Sequence, residues 1–118
     1  MSLKLPRNIN LGKFNQLELK ALLDNLEQAV ADSAERLPEW RKNLSRNHAM
    51  EINQAIVLEK LHKRIRNRWE AYSKPTHITL SIQEALALYA DTELIICTDE
   101  LEKAVIDQIT ATIDQKLV

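Results

Sequence analysis

Apolar residues recur every three or four positions along most of this chain, and two short stretches alternate instead. Leu19, Leu22, Leu26, Ala29, Val30 and Leu37 form one stripe, the spacing that keeps side chains on one face of an α-helix. Asn15-Gln16-Leu17-Glu18 precedes it in the form of a capping box, an amide acceptor followed three residues later by a carboxylate. A first helix is therefore predicted over 15–36. Pro38 is read as its stop, because the residue before a proline is pushed out of the helical region. Pro38 to Leu44 then reads as a short helical turn burying Trp40 and Leu44.

A second long helix is predicted over 47–73, capped by Ser45 or Asn47. Leu58, Leu61, Ile65, Trp69 and Tyr72 fall within an arc of roughly 80°. Lys60, Lys63, Arg64, Arg66 and Arg68 spread over the opposite side. Ile52 and Ile56 project to the side where the lysines lie further along. The first half of this helix is thus predicted to be covered on two sides, by a third helix or by a second copy of the chain.

Pro75 ends the helix. Ile78 and Leu80 then alternate with His77 and Thr79, and Ile9 and Leu11 alternate in the same way. That is the period of a half-buried strand. A two-stranded ribbon, 7–11 with 76–80, would pin an otherwise irregular or extended 1–14. Ser81-Ile82-Gln83-Glu84 is a second capping box and opens a helix to about Asp91. Leu94 to Cys97 reads equally as buried extended chain or as helix. Thr98 or Asp99 caps a last helix over 99–117, with Leu101, Val105, Ile106, Ile109, Ile113 and Leu117 on its apolar face. The fold class expected is all-α: a single domain, 1–118, in which a small helical bundle is built on a long antiparallel helical hairpin.

Composition narrows the functions. One Gly and three Pro suit long helices with few turns. A single glycine excludes the usual Gly-rich phosphate loops, and no Gly-x-Ser-x-Gly elbow occurs. Catalysis is not expected, nor is any cofactor. Cys97, the one cysteine, has no partner for an internal disulfide and is expected to be buried as a free thiol. No apolar run approaches the ~20 residues that span a bilayer, and the start of the chain does not look like a signal peptide. A cytoplasmic protein without membrane contact is expected. In style the chain resembles small all-helical bacterial proteins, a likeness that transfers no role to any residue.

Charge changes the picture most. Residues 36–74 carry ten Lys/Arg against four Asp/Glu, and residues 75–118 carry two against eight, so segments of +6 and −6 hide inside a net charge of −1. Such sorting fits either an anionic partner or two segments that attract each other, within one chain or between two. Lys60, Lys63, Arg64, Arg66 and Arg68 are the candidate surface for nucleic acid or another anion. A helix-turn-helix reading of the last two helices fails on charge. The helix that would enter the groove carries Asp99, Glu100, Glu102, Asp107 and Asp114. Glu59 and His62 have the Glu-x-x-His spacing of di-iron bundles, but no second pair exists, and Glu59 more simply faces Lys63. No metal is expected. The function expected is a non-catalytic protein–protein interaction or scaffold module that associates with itself or another protein, with Ile52 and Ile56 as candidate interface. The alternative is a nucleic-acid-binding accessory protein using the basic face of helix 47–73.

Overall fold

The computed structural model describes residues 4–92 and 99–117. Along these the order is β1 (Asn8–Phe14), α1 (Gln16–Lys42), α2 (Arg46–Glu70), β2 (Thr76–Ser81), α3 (Ile82–Thr92) and α4 (Glu100–Leu117). The protein is mostly helical, but all-α is not the right class, because β1 and β2 pair as an antiparallel sheet. The ribbon is longer than 7–11 with 76–80. Asn8 pairs with Ser81, Ile9 with Leu80 and Phe14 with Thr76. The lead-in up to residue 14 is therefore strand from Asn8 onward. Alternation alone misses Phe14 for a physical reason. The register shifts between Asn10 and Lys13, so the inward face changes from odd to even positions, and Ile9, Leu11 and Phe14 are all buried. Gly12 makes that shift feasible at φ +89°, a left-handed conformation that costs a side-chain-bearing residue. Its N–H donates to the Asn10 side chain at 2.8 Å.

α1 begins at the expected capping box. The Asn15 side chain accepts from Glu18 N–H at 2.8 Å, and the Glu18 carboxylate accepts from Asn15 N–H at 3.0 Å. Its end differs from the expected one. The helix runs through Pro38 to Lys42, and the short turn over 38–44 is its last turn. Pro38 and its neighbours Leu37 and Glu39 are exposed. The ring therefore faces outward, and the Ala34 carbonyl it deprives of a helical partner lies on an exposed stretch. Trp40 is buried as expected, whereas Leu44, at 67% exposure, is not. Leu37 and Leu101, both on apolar stripes by spacing, are also exposed.

Three residues link α1 to α2, a connection that returns the chain antiparallel alongside itself. Ser45 is the cap of α2, its hydroxyl accepting from His48 N–H at 3.1 Å. The helix ends at Glu70, about a turn short of the expected 73. Leu19, Leu22, Leu26, Leu58, Leu61 and Ile65 are essentially inaccessible and form the seam between the two helices. Trp69 and Tyr72 pack against this core as partly buried anchors. α3 opens on the second capping box, with Glu84 N–H donating to the Ser81 hydroxyl at 3.1 Å. α4 is β-branched and weak in helix propensity. It is held by the burial of Val105, Ile106, Ile109 and Ile113 against α1 and β1. Asp99 caps it, accepting from Glu102 N–H at 2.9 Å. The buried Asn25 of α1 donates to the Glu102 carboxylate at 3.4 Å, a polar tie between α1 and α4. The Leu94–Cys97 stretch, with its thiol, lies outside the described residues.

Candidate functional site

Two surfaces were expected to carry function, and both lie on α2. The five basic residues do not form one uncommitted face. At 100° per residue they span an arc of roughly 200°. Arg64 turns toward the ribbon, where its guanidinium donates to the Glu84 carboxylate at 2.8 Å and to the Thr79 carbonyl at 3.2 Å. The same Glu84 oxygen accepts from Ser81 N–H at 2.8 Å, so one carboxylate caps α3 and fastens it to α2. Arg68 donates to the Thr76 hydroxyl at 3.3 Å. Lys63 pairs with Glu59 at 3.3 Å, both of them exposed. Lys60 and Arg66 are exposed. The +6 and −6 segments therefore do meet within one chain, at Arg64 and Glu84.

Ile52 and Ile56 are brought together with residues of α1. They line a groove of about 260 Å³ with Val30, Ala34, Leu37 and Ala55, edged by Ser33 and Glu59. Among the described residues only α1 and α2 contribute to it. Ile56 is 51% exposed and Leu37 37%. The reason is one of reach. α1 is 27 residues long and α4 only 18. α4 meets α1 at Asn25, and among the described residues the end of α3 meets the hairpin at Asp91 without lining the groove. Val30 and Leu37 belong to the core stripe by spacing, and Ala34 gives no signal of its own. All three sit on the flank of that stripe, which is wider than α2 alone can cover. A second exposed apolar patch, with Met50, Val57 and Leu86, lies between α2 and α3.

Nothing among family models, curated proteins or solved structures matches this chain.

A third feature is not legible from the sequence. Asp91, near the end of α3, and Asp32 of α1 share a small cavity with Arg36, Trp40, Glu51 and Gln54. Burial, and secondarily the Asp32 charge, push the Asp91 carboxyl up to about 6. One of its oxygens is buried with no hydrogen-bond partner. The two aspartates are far apart in the sequence and only the fold juxtaposes them. His62 is half-buried on α2, and Glu59, its partner in the Glu-x-x-His spacing, is turned to Lys63. Among the described residues no helix is long and apolar enough to cross a membrane.

Proposed function

We propose that this chain is a non-catalytic interaction module that associates with a second copy of itself through the outer face of the α1–α2 hairpin. The observation that carries this reading is the groove of Ile52 and Ile56. It presents large aliphatic side chains to solvent on two helices whose opposite sides already build the core. Burying such a side chain is worth roughly 1.5–3 kcal/mol, and a contiguous apolar face flanked by charge is the usual mark of an interaction site. The exposed Met50 and Leu86 lie across α2 from it and do not extend it. A single cysteine, which allows no internal disulfide, suits a reducing cytoplasm.

The test is Ile52→Glu and Ile56→Glu, followed by size-exclusion chromatography with light scattering. A dimeric wild type and monomeric variants with unchanged helical circular dichroism support the reading. Variants that remain dimeric and folded remove this face as the interface.

The alternative, a nucleic-acid accessory protein, is less supported by the contacts of its residues. Arg64 is engaged by Glu84 and Thr79, Arg68 by Thr76 and Lys63 by Glu59. The alternative then rests on Lys60 and Arg66. Co-purification of nucleic acid that leaves at high salt, and is abolished by Lys60→Glu with Arg66→Glu, would make it the better reading.

A further inference from the structure

The exposed stripe of α1 has a symmetry that bears on how two copies would meet, given the self-association proposed above. Glu27, Val30, Ala34, Leu37 and Arg41 follow one another at alternating steps of three and four. This spacing runs as a line along one side of a helix, and Val30, Ala34 and Leu37 place that line on the groove. Its centre is the smallest side chain, Ala34, which is exposed. One turn out on either side is a branched aliphatic residue. Seven residues out, about 10 Å along the axis, stand opposite charges: Glu27 on one side and Arg41 on the other, both exposed. Lys42 stands beside Arg41 in the final turn of α1.

A stripe that is acidic at one end, apolar in the middle and basic at the other is complementary to itself only when reversed. We infer that two copies pack with their α1 helices antiparallel across a twofold axis at Ala34, Arg41 of each protomer facing the partner's Glu27. A parallel arrangement would set Glu27 against the partner's Glu27 and Arg41 against the partner's Arg41. The small residue at the crossing lets the two backbones approach. Val30 and Leu37 of each copy then fill the groove of the other beside Ile52 and Ile56. The interface is isologous, as a closed dimer requires, and each charge pair occurs in it twice.

The test is a charge swap read as a dimer dissociation constant by analytical ultracentrifugation at low salt. Glu27→Arg sets a second guanidinium against Arg41 and should weaken the dimer about tenfold, since two exposed ion pairs are each replaced by a repulsion. Arg41→Glu should do the same. The double variant recreates both pairs in reverse and should return to within about threefold of wild type, and all differences should shrink as salt rises. Both positions are exposed, so circular dichroism should be unchanged throughout. Independently, Ala34→Cys in a Cys97→Ser background should oxidise to a covalent dimer, because a residue on a twofold axis faces its own copy. Gln28→Cys, off the stripe, should not. A wild type monomeric at about 100 µM overturns self-association itself. A dimeric wild type whose single reversals have no effect, or whose double variant is not rescued, overturns the antiparallel register and leaves self-association standing.

Discussion

Three positions, Asp91, Glu84 and Gly12, bear directly on stability. The folded protein holds the Asp91 proton more tightly than the unfolded chain, since burial and Asp32 raise the carboxyl from 3.8 to about 6. The sign follows. The contribution of Asp91 to stability is fully present below about pH 4 and is lost as pH rises through 6. Thermal unfolding between about pH 4 and 8 should show Asp91→Asn gaining on wild type as pH rises. Parallel curves for the two proteins would contradict the raised value. Glu84 serves the cap of α3 and the ion pair with Arg64 through one oxygen. Glu84→Ala should cost about 1–2 kcal/mol in urea unfolding. Glu84→Gln should cost less, because an amide oxygen still accepts from Ser81. At Gly12 a methyl group would meet nothing within 4 Å, so the cost of Gly12→Ala is one of backbone alone, about 1 kcal/mol by the same unfolding measurement.

At the scale of elements, what the sequence made readable was what is decided locally. Both capping boxes, the stripes of α2 and α4 and the alternation at Ile9 and Ile78 depend on residues within a turn or two of each other. The Pro38 boundary failed because proline ends a helix only where the freed carbonyl or the ring cannot be accommodated, and on the exposed side both can. Pro38→Ala should therefore raise stability by about 1–2 kcal/mol, the helical gain less the freedom restored to the unfolded chain. An unchanged or lowered melting temperature would mean that the proline shapes the hairpin tip. The candidate site was legible in part. Ile52 and Ile56 betrayed themselves by pointing away from the rest of their stripe. Val30 and Leu37 did not, because a flank and a core position differ only in which neighbour reaches them. Arg64 looked like surface charge because its partner lies twenty residues away across a strand, and Asp32 gave no hint of Asp91 for the same reason.

For the molecule as a whole, a self-associating hairpin links stability to concentration. Dimerisation stabilises only the folded chain, so the melting temperature of wild type should climb with protein concentration over roughly a hundredfold range, and that of Ile56→Glu should stay flat. The ribbon carries a different consequence. β1 is made first, but its partner strand follows only after the whole hairpin, about 60 residues later; at roughly 5–20 residues per second a ribosome needs several seconds to supply it. During that interval Ile9, Leu11 and Phe14 have no sheet to join. The hairpin shortens the wait in another sense. Once α1 and α2 zip together, Asn15 and Ala71 stand at the same end, and the entropic span left for the two strands to close is a few residues instead of about sixty. The birth of this protein is therefore ordered: helices first, and the earliest-made segment last to find its place.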